Sequence, residues 1–152
     1  MPTTIHQYPV EVSWSGGRDG HGSIAAGNSG EQIRIAVPPE YMGTGNGTNP
    51  EELLTSAIGA CYSINFGIIA ANRKLAVVSY SATAVGEVEQ SGVQLTYKAV
   101  LIKPKIVLEA SATDEQVELA HDIAHKADMY CLITNALRGK VVVTIEPMVE
   151  RA

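Results

Sequence analysis

Residues 48–72 read TNPEELLTSAIGACYSINFGIIAAN, with no charged side chain between Leu53 and Ala71. The stretch opens as a helix start. Asn49 can cap, Pro50 suits the first helical position because its missing N–H would have no partner there, and Glu51 and Glu52 favour the positive end of the dipole. Glu52, three residues past Asn49, can complete a capping box. The rest of the predicted helix is apolar nearly all round, and such a helix belongs in an interior, covered on every side. Its length approaches the ~20 residues that cross a bilayer. Thr55, Ser56, Ser63 and Asn65 interrupt it, Gly59 and Gly67 lower its hydrophobicity, and no basic residue flanks its start, so we read a core helix of a soluble protein. Cys61 sits at its centre.

On the N-terminal side, Val10, Val12 and Trp14 alternate with polar neighbours, as do Ile33, Ile35 and Val37, and GHGSIAAG lies between the two runs, so three short strands are expected. PPEYMGTGNG then reads as a loop. On the C-terminal side, Val78, Tyr80, Ala82 and Ala84 mark one strand, and Val93, Leu95, Tyr97, Ala99 and Leu101 mark the next, with a hairpin turn at Ser91 and Gly92. Thr113 and Gln116 form a capping box opening a helix in which Val117, Ala120, Ile123, Ala124 and Ala127 keep a helical period. Asp128 is placed to cap a second, shorter helix ended by Gly139, and KVVVTIEP makes a final strand. The order βββ-α-ββ-αα-β alternates too little for a doubly wound sheet. It predicts an α+β fold with largely antiparallel pairing.

The chain of 152 residues has the size of one domain, which we place at 1–152; it is 45% hydrophobic and 18% charged, the composition of a folded globule. Its formal net charge is −5 and its 11 Lys and Arg are scattered, which argues against nucleic acid and acidic membranes as partners. MPTTIHQYPVEVSW carries neither the basic nor the apolar region of an export signal, so a cytoplasmic location is expected. In that reducing compartment the two cysteines, Cys61 and Cys131, 70 residues apart, point to redox or metal chemistry more than to a permanent disulfide. A buried, inert thiol is the ordinary reading of Cys61 alone. Cys131 alters it: if Asp128 caps, Cys131 falls near the third position of the new helix, where unpaired amides favour a thiolate.

Three blocks in order, SGGRDGHGSI, TNPEELLTSAIGAC and YCLITNALRGKVVVTIEP, together give the chain a resemblance to the OsmC/Ohr family of peroxide-detoxifying proteins. The resemblance spans nearly the whole chain. It implies antiparallel sheets wrapped around a long buried central helix, an intertwined homodimer with its site at the subunit interface, and no cofactor. It also implies a thiol-dependent hydroperoxide reductase with Cys61 as the peroxidatic thiol, Cys131 as the resolving thiol, Arg18 activating the thiolate and Glu51 orienting the arginine. The external reductant would be a dihydrolipoyl group, a thioredoxin-like protein or a small thiol. Two departures leave the subtype open: Leu132 stands where relatives commonly have proline, and Glu40, Tyr41 and Met42 occupy a loop where some relatives carry the arginine. Arg34 is accordingly a second candidate for the activating group.

The chemistry matches these residue types. A thiolate attacking an O–O bond gives a sulfenic acid, which a second thiol converts to a disulfide that exchange with an outside thiol can reopen. A guanidinium stays charged throughout and a carboxylate can hold its fork. On one straight helix, Glu51 and Cys61 stand about 15 Å apart along the axis. The intertwined dimer that the resemblance implies would let one subunit's Glu51 approach the other's Cys61, and pairing with a second copy would also help cover an uncharged helix. Tyr62, Phe66, Met129 and Tyr130 flank the cysteines as candidates for an apolar substrate wall, with core packing as their ordinary reading.

His121 and His125, four apart on one predicted helix, lack a third clustered ligand and read as a solvated face, so no metal is expected. Two rival functions remain on the same architecture: a carrier or sensor of small apolar ligands, and a thioesterase-like protein. Neither accounts for Arg18, Glu51, Cys61 and Cys131 together.

Overall fold

The computed structural model describes residues 1–152, which divide into two compact units, Met1–Leu53 and Leu54–Ala152. The first unit is a three-stranded antiparallel meander of β1 (Val10–Ser15), β2 (His21–Ala26) and β3 (Gln32–Ile35). Alternation sorts its side chains, with Val12, Ile24 and Ile33 aligned on one face and Ser13, Ser23 and Arg34 on the other. The apolar face is open, Val12 being 62% exposed. GGRDG forms the β1–β2 turn. Gly16 takes φ +93 there, and the Trp14 indole donates to the Gly16 carbonyl at 3.0 Å.

The loop after β3 contains a short 3-10 turn at Pro39–Tyr41 and is strapped back by two backbone bonds, Ala36 N–H to the Thr48 carbonyl and Thr48 N–H to the Arg34 carbonyl. It delivers the chain to α1 (Pro50–Asn72). The Asn49 side chain accepts from the Glu52 amide at 2.8 Å, as expected of a cap, and the Glu52 carboxylate accepts from the Thr48 hydroxyl at 2.7 Å.

The second unit holds most of α1 with β4 (Val77–Ser91), β5 (Gln94–Leu108), α2 (Asp114–Lys126), α3 (Leu132–Leu137), β6 (Val142–Ile145) and β7 (Met148–Arg151). The long β4–β5 hairpin turns at Gly92, whose φ of +61 a β-branched residue would resist. The expected last strand is two pieces. Pro147 cannot donate to a ladder, so β6 stops before it and β7 resumes after it, both parallel to β5. That pairing follows from the helical crossover through α2 and α3, which returns the chain in the same direction.

Two bulges decide which faces are buried. Glu87 pairs with Ala99 and Val88 with Tyr97, so Lys98 is an extra residue that inverts the alternation along β5. Tyr97 faces α1 on the odd side of that point, whereas beyond it the even positions Val100, Ile102, Pro104, Ile106 and Leu108 are buried, and Leu101 is not part of the expected face. A second bulge falls at Val78.

The core joins this β5 face to Ile58, Tyr62, Phe66 and Ala70 of α1 and Ala120, Ile123 and Ala124 of α2. Each large side chain so buried contributes ~1.5–3 kcal/mol. The Tyr62 hydroxyl donates to the Ala124 carbonyl at 2.7 Å, and Phe66 stacks on Tyr80 with centroids 4.9 Å apart. Burial pushes the Tyr62 phenol well above its ordinary value, with Tyr80 and Asp128 adding to the shift. Although α1 is long and apolar enough to cross a membrane by length and composition, this stripe is a core face of its unit. The opposite side is uncovered within one chain, with Ile64 63% and Ile68 53% exposed.

Candidate active site: a paired-cysteine centre

Cys61 and Cys131 are neighbours in the second unit, close enough for the Cys61 thiol to act on the Cys131 thiol. Both are free; Cys61 is half-buried and Cys131 fully buried. The sequence spacing alone could not place them, since one lies mid-helix in α1 and the other in the connection between α2 and α3.

That connection is built by local capping. A 3-10 turn at Ala127–Tyr130 follows α2, and its end, Cys131, is extended and begins α3. The expectation that Asp128 caps and Cys131 sits inside the helix is corrected here: Cys131 is itself the cap. Its sulfur accepts from the Thr134 amide at 3.3 Å and from the Thr134 hydroxyl at 3.1 Å. Asp128 braces the turn from behind. Its carbonyl takes the Cys131 amide at 3.1 Å and its carboxylate the Arg138 guanidinium at 3.3 Å, while Arg138 donates to Asn135 at 2.8 Å. Asn135 closes the frame with a bond to the Met129 carbonyl.

Asn65 ties this turn to α1. One helical turn beyond Cys61, its amide donates to the Cys61 carbonyl at 3.0 Å and the Tyr130 carbonyl at 3.3 Å, and lies 3.6 Å from the Cys61 sulfur. Burial raises the Cys131 thiol above its ordinary value, its hydrogen bond to Cys61 adds to the rise, and the two Thr134 donors oppose it.

The remaining expected site residues divide by location. Tyr62 and Phe66 are 0% and 1% exposed inside the core, which corrects their candidacy for an accessible wall. Met129 and Tyr130, 63% and 66% exposed beside Cys131, remain, and Leu132 adds a third exposed apolar side chain. Arg18 is exposed at the tip of the β1–β2 turn, Arg34 stands on the polar face of β3, and Glu51 is half-buried in the first turn of α1. His121 and His125 are exposed, and no group of three or more His, Cys, Asp or Glu is arranged to hold a metal ion. Sequence reasoning missed Asn65 and Thr134. The signal for each was present: a polar residue four after a cysteine in an apolar helix, and a Thr three after a cysteine at a helix start.

A family model described as OsmC-like protein matches residues 43–146. The chain belongs to the OsmC-like family. This OsmC-like protein is 32% identical over 145 residues, 95% of each chain, to the uncharacterized protein YmaD of Bacillus subtilis (strain 168). It is 27% identical over 143 residues to the organic hydroperoxide resistance protein of Xanthomonas axonopodis pv. citri, covering 91% of this chain and 92% of that one. Its fold is shared with the crystal structure of an organic hydroperoxide resistance protein OsmC from Legionella pneumophila, at a TM-score of 0.72 and 23% identity over 97% of this chain and 100% of that one. The α+β architecture expected from the element order is thus a known OsmC fold.

Proposed function

We propose that this OsmC-like protein is a thiol-dependent peroxidase that reduces organic hydroperoxides in the cytoplasm. The Cys61 thiolate attacks the distal peroxide oxygen; an S–O bond forms, the O–O bond breaks, and the alkoxide takes a proton and leaves as the alcohol. The Cys131 sulfur then attacks the Cys61 sulfenic acid, forming the disulfide and releasing water. An outside dithiol, whether dihydrolipoyl, thioredoxin-like or small, returns both cysteines to thiols by exchange. The adjacency of a half-buried and a fully buried free thiol carries this reading, because an accessible sulfur backed by an enclosed one is what a two-step oxidation requires. The relatives named for organic hydroperoxide resistance support the substrate class.

Arg18 supplies the positive charge that holds the thiolate, and Glu51 orients its fork. The protein works as a homodimer, whose second copy covers the open side of α1 at Ile64 and Ile68. Exposed Met129 and Tyr130 receive the alkyl group.

The test is consumption of tert-butyl or cumene hydroperoxide with a dithiol. Cys61→Ser is expected to abolish it, and unchanged consumption would refute the reading. After one equivalent of peroxide, mass spectrometry of the wild type should show loss of two hydrogens linking the Cys61 and Cys131 peptides. Stoichiometric binding without turnover would instead favour an apolar-ligand carrier.

A further inference from the structure

Thr134 is fully buried, and both its polar donors point at one atom, the Cys131 sulfur. A backbone amide alone would complete the cap, as in any helix start. The hydroxyl is a second donor that the cap does not need, placed on the shorter of the two bonds, 3.1 Å against 3.3 Å. A neutral thiol is a weak acceptor, whereas a thiolate is a strong one, so a buried hydroxyl aimed at sulfur gains most when that sulfur is charged.

We propose that Thr134 is a positioning residue for disulfide closure, its hydroxyl fixing the Cys131 sulfur beside Cys61 and carrying the charge of that sulfur as it gives up its proton. This rests on the peroxidase reading of the pair. Before oxidation, Cys131 is a buried thiol whose sulfur accepts from both Thr134 donors. Once Cys61 is a sulfenic acid, its sulfur is electrophilic and the Cys131 sulfur attacks it. The Cys131 proton then leaves with the departing hydroxyl as water, the S–S bond forms, and the Thr134 hydroxyl compensates the sulfur through the transfer. The balance is one thiol and one sulfenic acid converted to one disulfide and one water. A slow closure would leave Cys61 open to a second peroxide and irreversible over-oxidation.

Thr134→Val keeps the shape and the amide but removes the hydroxyl, while Thr134→Ser keeps the hydroxyl. Rapid mixing with cumene hydroperoxide, quenched with a sulfenic-acid trap and read by mass spectrometry, gives the ratio of the closing rate to the rate of Cys61 oxidation. In Thr134→Val this ratio is expected to fall on the order of tenfold, the effect of losing one hydrogen bond to a charged acceptor. Its pH profile should move to higher pH, with more sulfinic acid at Cys61, and Thr134→Ser should restore both. Thr134→Ala replaces the valine variant if valine unfolds the turn. A wild-type ratio and profile in the apolar variant would overturn the proposal, as would equal slowing by serine, which would mark a packing role. Diamide, which oxidises a dithiol to a disulfide without peroxide, separates the two readings. If diamide closes the bond in the wild type while peroxide does not, the peroxidase reading fails, and the diamide closing rates of the same variants still decide the role of Thr134.

Discussion

The Asn65 amide spans the two backbone segments that carry the cysteines, donating to the Cys61 carbonyl at 3.0 Å and to the Tyr130 carbonyl at 3.3 Å. An intrahelical bond would do nothing for Cys131, but the second bond holds the residue before it against α1. Asn65→Ala should therefore cost ~1 kcal/mol of stability and, more tellingly, lower the fraction of Cys61 recovered as disulfide after one equivalent of peroxide. Thiol titration and mass spectrometry would check it. Undiminished disulfide yield would mean the turn holds its place through Asp128, Arg138 and Asn135 alone.

Gly86 is required by a contact on β4. A Cβ there would lie 2.4 Å from both the Thr55 and the Tyr97 hydroxyl oxygens, which share a 2.7 Å hydrogen bond. Gly86→Ala should cost about 1–3 kcal/mol by overpacking, a fall of several degrees in Tm for a chain of this size. Adding Tyr97→Phe removes one blocking oxygen and should recover part of the loss. Calorimetry of the two variants that showed no recovery would locate the clash elsewhere.

The Cys131 thiol ionises less readily when folded than when unfolded, chiefly through burial. At low pH both states are protonated and there is no penalty. As pH rises past about 8.5, the unfolded thiol ionises while the folded one does not, so stability falls through that window and continues to fall until the folded thiol also ionises. Cys131→Ser should flatten this part of the curve in denaturant titrations between pH 7 and 10. A wild-type slope in the variant would assign the fall to other groups.

Two arginines remain candidates for the activating charge, and the peroxidase reading selects Arg18. Arg18→Ala should slow the first oxidation of Cys61 on the order of 10–100-fold, the magnitude of one charge-assisted hydrogen bond. Arg34→Ala, on the polar face of β3, should leave it within about threefold. Single-turnover kinetics distinguish them, and the reverse ranking would transfer the role to Arg34.

Much of the architecture was legible because it is written in local chemistry. Asn49, Pro50 and the acidic pair mark the start of α1, Thr113 marks α2, and Gly92 marks the hairpin, since each places a donor, a fixed φ or a left-handed turn within four residues. The burial pattern of β5 was not legible beyond Tyr97. One extra residue at Lys98 inverts every later side chain, and whether a strand bulges depends on its partner's register, not on its own sequence.

The site divides in the same way. The sequence by itself determined that an apolar helix carries a thiol, that a second thiol lies at a helix start, and that the three blocks holding them keep a family's order. Only the tertiary structure decided that the two sulfurs meet, that Cys131 caps its helix through its own side chain, and that Tyr62 and Phe66 serve the core while Met129 and Tyr130 stay exposed. The reason is range: caps and periodicity act over a few residues along the chain. The meeting of Cys61 with Cys131 depends on how α1 and α2 pack on one face of β5, which no short stretch of sequence specifies.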